Sequence, residues 1–277
     1  MNGETLIWVD GLPADSLPLP DRGLEFGDGL FETLLLRSGT PLYPGLHSER
    51  LQRGGLVLGF PACRDAMARQ LAVATAAVAG KGWSWTALRI TVTRGNGPRG
   101  YAPPMETTPR WVMRATRLDK VEMLPPAALA VAGIRWPLQP AMAGLKHLNR
   151  LEQVLAAGEY QRAGLDEAVM LDQQGAVISV VAGNLFLATG KRLLTPSLQQ
   201  CGIAGTRRRL VIERWAPALG LQVEETPVSL EQVGQADEVF FCNSLIGLRP
   251  VASLSGRSWQ SHPLCMALYR QYRSEAA

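Results

Sequence analysis

The sequence predicts a mixed α/β chain, of the α+β kind, folded as two domains with a cleft between them. Three observations lead there. Strand-like apolar runs and helix-like amphipathic segments interleave in both halves, with no internal repeat or low-complexity segment. A polar, proline-ended connector, Leu118–Pro126 (LDKVEMLPP), interrupts that alternation. The 277 residues, 47% hydrophobic and 19% charged, suffice to bury a large core. The expected division is a smaller N-terminal α/β domain over 1–117, a linker over 118–126 and a C-terminal α/β domain over 127–277.

Composition narrows the function. The net charge of +4 comes from scattered arginines, and only Arg207–Arg209 forms a basic run. A nucleic-acid role therefore has little support, and a small anionic ligand accounts for the charge equally well. The opening MNGETLIWVDG lacks a basic region followed by a long apolar core. No stretch approaches the roughly 18 uninterrupted apolar residues of a membrane span. Cys63, Cys201, Cys242 and Cys265 are far apart and read as reduced thiols of a cytoplasmic protein. His47, His147 and His262 make no helix-spaced pair, so no zinc site is expected.

The elements follow in order. Leu6–Asp10 reads as a strand entering a turn at Gly11. In Asp21–Thr33 (DRGLEFGDGLFET) two glycines bracket Asp28 and lead into a strand, Phe31–Arg37. Ser38–Thr40 then turns the chain into Pro41–Tyr43 as a hairpin. His47–Leu56 and the Ala-rich Arg64–Val78 have helical spacing, whereas Thr86–Thr93 and Arg110–Thr116 read as strands. Beyond the connector lie a strand at Ala127–Trp136, a short turn holding Lys146, and a helix at about Leu148–Arg162. Further strands are expected at Glu167–Leu171, Ala176–Val181, Gly183–Leu187, Leu193–Thr195, Val223–Pro227 and Glu238–Cys242. One more helix starts near Thr206, and another spans about Pro263–Arg273.

Lys146 is the residue around which chemistry gathers. Of the 28 basic residues only Lys81, Lys120, Lys146 and Lys191 are lysines. Carbonyl chemistry needs a primary amine, which guanidinium cannot replace because it stays protonated. On pattern alone an exposed lysine preceding a helix stays open. Gly95–Tyr101 (GNGPRGY) formally matches the dinucleotide fingerprint, but Pro98 inside it and Pro103–Pro104 after it stand where a helix should begin. It reads instead as a mobile Gly-rich loop carrying Arg99 and Tyr101. In CGIAGTRRR (Cys201–Arg209) two glycines precede a helix start, an arrangement that suits a phosphate.

Six blocks in order carry a family resemblance: DRGLEFGDGLFET (Asp21–Thr33), HSERL (His47–Leu51), TRGNGPRGY (Thr93–Tyr101), GLKHLNRLEQVLA (Gly144–Ala156), NLF (Asn184–Phe186) and ADEVFFCNS (Ala236–Ser244). Together they resemble the fold-type IV pyridoxal-phosphate-dependent enzymes, and among them the lyases that act on 4-amino-4-deoxychorismate. The resemblance implies a two-domain fold with the active site in the interdomain cleft, pyridoxal 5′-phosphate as cofactor, and a homodimer. It implies that Lys146 carries the cofactor and moves the proton. It further implies that Arg50, Gly205, Thr206, Arg207 and Ser244 hold the phosphate, and that Arg99 and Tyr101 approach a dicarboxylate substrate. His147 and Asn149 are read as structural.

One position departs from that family. It places a Glu five residues before the NLF asparagine, at the cofactor's pyridine nitrogen, and here Ser179 stands there. No acid lies between Asp172 and Glu213. A serine hydroxyl should make a weaker electron sink, which elimination tolerates better than transamination. Two other readings stay open at this point. One is an aminotransferase of the same fold acting on branched-chain or D-amino acids, and the other is a non-catalytic basic module using Arg207–Arg209.

Overall fold

The computed structural model describes residues 3–61 and 63–276. They form two compact units. The first comprises the chain up to Val121 together with Leu145–Asn149; the second comprises Glu122–Gly144 and everything from Arg150 onward.

The first unit contains β1 (Thr5–Val9), β2 (Leu12–Pro13), α1 (Arg22–Phe26), β3 (Gly29–Arg37), β4 (Thr40–Pro41), α2 (Pro44–Leu58), α3 (Cys63–Gly80), β5 (Trp85–Thr93) and β6 (Arg110–Leu118). Its sheet is antiparallel, in the order β2-β1-β6-β5-β3-β4. Along β5 the residues Thr86, Leu88, Ile90 and Val92 are buried and those between them are not, except at the strand's end, the period of two that a sheet imposes. β3 is buried nearly throughout, so it reads as a continuous apolar run rather than an alternating one. Helices α2 and α3 close over Leu30, Leu34, Leu36, Leu88 and Ile90, using Leu51, Met67 and Val78. Each such large apolar side chain contributes roughly 1.5–3 kcal/mol on leaving water. Gly54 lets α2 approach this closely, because a Cβ there would stand 2.9 Å from Leu30.

The second unit contains β7 (Ala127–Val131), α4 (Leu151–Arg162), β8 (Glu167–Leu171), β9 (Val177–Val180), β10 (Asn184–Thr189), β11 (Arg192–Pro196), α5 (Thr206–Leu210), α6 (Ala216–Ala218), β12 (Gln222–Thr226), α7 (Leu230–Gln235), β13 (Glu238–Asn243), β14 (Gly247–Leu254), β15 (Arg257–Ser258) and α8 (Pro263–Ala276). The sheet runs β12-β11-β10-β13-β14-β7-β8-β9, with β15 added to β14. It is mixed: β11/β12, β14/β7 and β7/β8 are parallel, the other pairs antiparallel. One face packs Val169, Leu185, Leu187, Val239, Phe241 and Val251, the other Trp136, Ala156, Met170 and Ile178. Helix α5 continues through a wide π turn, Val211–Trp215, into α6, so a single helical path runs from Thr206 to Ala218. Pro217 has no N–H to continue the ordinary ladder, and the Ala216 N–H reaches Val211 instead.

Two expected elements differ. The strand expected over Ala127–Trp136 ends at Val131, because Glu159 draws the backbone N–H groups of Gly133 and Ile134 out of line at 2.6 and 3.4 Å. The helix expected from about Leu148 begins at Leu151. The preceding residues are held extended against β3. Phe31 N–H donates to Lys146 C=O at 2.9 Å, Leu148 N–H donates to Gly29 C=O at 3.0 Å, and His147 bridges Leu30. Sheet pairing takes these residues from the helix, so Lys146, which the sequence placed in the C-terminal domain, lies with the first unit.

Candidate active site

Lys146 sits on β3 through its side chain as well as its backbone. Its Nζ lies 4.1 Å from the centroid of the Phe31 ring, on which Arg89 also rests at 3.9 Å. Two cations against one aromatic ring confine the lysine's stem and keep its amine on a defined side of the strand. Gly144, two residues earlier, is fixed in the second unit: its N–H donates to Gly202 C=O at 2.9 Å, and its C=O accepts from Ala204 N–H at 3.1 Å. Both bonds lie within the second unit.

Neighbouring strand residues face opposite sides. Next to Phe31, therefore, Glu32 points towards α2 and is buried there. Its carboxylate accepts from Arg50 Nε at 2.8 Å and Nη2 at 2.5 Å, and from His47 Nδ1 at 2.6 Å. Burial works against the charge, but the Arg50 guanidinium and the bonds from Arg50 and His47 outweigh it and hold the carboxyl at about 2. Sequence reasoning noted Arg50 and missed Glu32. The available signal was an acid in the middle of an apolar strand, which must find a partner.

Helix α5 begins at Thr206, where the sequence predicted a helix start. Gly205 precedes the helix with room for no side chain, since a Cβ there would overlap Asn184 Oδ1. Asn184 in turn donates from Nδ2 to Ile203 C=O at 2.9 Å and so buttresses the loop. The Thr206 and Ser244 hydroxyls stand 3.2 Å apart, and Arg207 donates from Nη2 to Ser244 C=O at 3.2 Å. Thr206 and Arg207, at the helix start that follows Gly205, thus both touch Ser244, and at a helix start backbone N–H groups and the helix dipole favour an anion.

The basic run divides by burial. Arg207 is 1% exposed and Arg208 6%, the latter bonded to Glu225 at 2.6 Å and to Pro196 C=O at 3.0 Å. Arg209 is exposed and paired with Glu213. Two of the three arginines are interior, so the run does not form the basic surface that a binding module would require.

Ser179 is buried on β9 and accepts from Trp136 Nε1 at 3.0 Å. The Trp136 ring carries the Arg150 guanidinium at 5.4 Å. Burial pulls Arg150 down to about 10. Arg99 and Tyr101 are exposed, Tyr101 at 87%. The loop that carries them, read as mobile from its glycines, is fastened from below by Arg22, which donates to the carbonyls of Pro98, Gly100 and Tyr101. Among the described residues no group of three or more His, Cys, Asp and Glu is placed to hold a metal ion, and no helix is long and apolar enough to cross a membrane.

The chain belongs to the amino-transferase class IV family, whose model matches residues 29–254. Its fold is similar to the crystal structure of 4-amino-4-deoxychorismate lyase from Pseudomonas aeruginosa, with a TM-score of 0.89 and 40% identity over 97% of this chain and 98% of that one. The aminodeoxychorismate lyase of Vibrio harveyi is 35% identical over 261 residues, 90% of this chain and 92% of that protein. The branched-chain amino acid aminotransferase of Escherichia coli shares the fold, with a TM-score of 0.83 but 21% identity over 99% of this chain and 94% of that one.

Proposed function

We propose that this chain is a pyridoxal 5′-phosphate-dependent lyase that converts 4-amino-4-deoxychorismate to 4-aminobenzoate and pyruvate, a carbon–oxygen bond cleavage that serves folate synthesis. The observations that support it are Lys146, an amine held against Phe31 in the first unit, and, in the second unit, the helix start at Gly205–Arg207 beside Ser244. Identity of 35–40% to two such lyases along nearly the whole chain favours lyase over aminotransferase.

The residues present suit the cofactor, which needs an amine for its aldehyde and cationic or N–H donors for its phosphate. Lys146 supplies the amine. Gly205, Thr206, Arg207 and Ser244 would hold the phosphate, and the Arg50 guanidinium, oriented by Glu32, would join them. Ser179 would lie against the pyridine nitrogen. When bound, pyridoxal 5′-phosphate would supply an aldehyde for the substrate's amine and a ring that withdraws electrons. Lys146 then moves the proton at the amine-bearing carbon of the substrate ring. Arg99 and Tyr101 hold the two carboxylates' side of the substrate, so that the enolpyruvyl C–O bond breaks and the ring becomes aromatic.

The same proposal includes a homodimer in the cytoplasm. Leu151, Val154 and Leu155 make a stripe at helical spacing on α4 and are 74%, 63% and 56% exposed, a surface that a second copy would cover. Light scattering should give twice the chain mass of 30.0 kDa, and a monomer would refute this part. The activity is tested with purified protein and 4-amino-4-deoxychorismate. Pyruvate should appear without any 2-oxo acid acceptor, and the near-visible absorbance should be bleached by borohydride and absent in Lys146→Ala. A strict need for a 2-oxo acid would make the chain an aminotransferase.

A further inference from the structure

We propose that Arg22 is the positioning residue that shapes the substrate loop, so that selectivity for a dicarboxylate is built on a buried cation that never meets the substrate. This rests on the assignment of Arg99 and Tyr101 to the substrate. Arg22 is 3% exposed. Its Nη1 donates to Gly100 C=O at 2.9 Å and Pro98 C=O at 3.4 Å, and its Nη2 donates to Tyr101 C=O at 2.9 Å. Three carbonyls within four consecutive residues thus converge on one planar fork. Its own N–H donates to Gly95 C=O at 2.8 Å, so both ends of the loop are anchored on the same residue.

The charge arithmetic explains why the fork is available to the loop. Asp28 is shared by Arg22, at 3.1 Å, and Arg94, whose Nε and Nη2 reach it at 2.6 and 3.1 Å. Arg94 takes the carboxylate in the bidentate manner, and Arg22 turns its remaining donors to carbonyl oxygens. The Arg22 guanidinium lies 4.7 Å from the Phe26 ring, and that ring is 5.4 Å from Tyr101. Gly97 is part of the device, because a Cβ there would stand 2.6 Å from Arg22 Cδ. With the backbone drawn inward at 98, 100 and 101, Arg99 and the Tyr101 ring are presented outward. A lysine at position 22 would keep the charge but not the planar fork.

The test uses the holoenzyme, with Arg22→Lys and Gly97→Ala compared with Arg99→Ala. Tryptic cleavage after Arg99 is timed by mass spectrometry, alongside KM, kcat and the cofactor absorbance. Arg22→Lys should speed that cleavage and raise KM, each by roughly tenfold, the scale of one charge-assisted hydrogen bond. The kcat and the absorbance should hold, and Gly97→Ala should move cleavage and KM the same way. Unchanged cleavage in both variants overturns the proposal. So does a loss of kcat and absorbance at constant KM, which would make Arg22 a general structural residue. If cleavage accelerates in Arg22→Lys while KM stays constant both there and in Arg99→Ala, which has no such cleavage site and is read by KM alone, the loop is not at the substrate and the assignment beneath the proposal falls with it.

Discussion

Replacing Glu32 by Gln tests the ionic core of the first unit. Glu32 is buried and charged, with Arg50 and His47 on its two oxygens. Its carboxyl is held at about 2 instead of the ordinary 4.5. At 1.36 kcal/mol per pH unit that difference is worth about 3 kcal/mol of stability at neutral pH. Removing one partner from a buried pair costs roughly 3–5 kcal/mol, the same scale, because the Arg50 guanidinium is left without its counter-ion. For a chain of this size, about 2–4 °C per kcal/mol gives a fall in Tm of about 6–12 °C at pH 7. A depressed carboxyl stabilises above the unfolded value of 4.5, and that contribution is lost as pH falls towards about 2. The gap between wild type and Glu32→Gln should therefore be full at pH 7 and pH 6, and shrink steadily below about pH 4.5. Melting followed by circular dichroism from pH 7 to pH 3 measures both the gap and its pH profile. A variant that melts within about 2 °C of wild type at pH 7, or a gap that stays constant down to pH 3, would refute the assignment of Glu32 as the anionic partner of Arg50.

Three further substitutions probe separate parts. Gly205→Ala should push Asn184 and the loop it supports out of place and weaken pyridoxal 5′-phosphate binding at least about tenfold by absorbance titration; an unchanged Kd would take the phosphate away from this turn. Ser179→Glu should alter the cofactor spectrum and the lyase rate together, and no change in either would remove the serine from the pyridine nitrogen. Gly247→Ala places a side chain at φ 69° and into the Tyr272 ring, so it should lower the urea midpoint by the equivalent of about 3 kcal/mol. A wild-type midpoint would show that α8 can shift to make room.

Elements with a strong period were legible. β5, the paired β8 and β9, and helices α2, α3 and α8 fall within a few residues of the expected bounds, because burial on one face or both writes itself into the apolar pattern. Short elements ruled by polar contacts were not. Helix α7 is started by a capping box between Ser229 and Gln232, and α1 by Asp21 accepting from Gly23 and Leu24 N–H groups. Both signals are in the sequence as Ser or Asp at a cap, but each helix is too short to show a hydrophobic period. The late start of α4 was beyond local reading altogether, since the competitor for residues 146–148 is a strand more than a hundred positions earlier.

The site divides along the same physical line. Lys146 and the glycines before Thr206 stand out in the sequence by residue type, an amine and a missing side chain, whereas Ser244 enters only through the family resemblance. The arginines could not be sorted, because their task depends on what they are buried against. Arg50 faces a carboxylate inside the first unit, Arg208 ties α5 to Glu225 and Pro196, Arg209 is an exposed ion pair, and Arg22 supports a loop through its carbonyls. In a string of letters these are equivalent cations, and the run Arg207–Arg209 even suggests a patch. Desolvation separates them. A guanidinium inside the protein must give its donors to oxygen atoms, so its position fixes those atoms as firmly as they fix it. The buried arginines of this chain are therefore better understood as framework than as charge, and substitutions by lysine, which keep the charge and lose the fork, are the ones that separate the two.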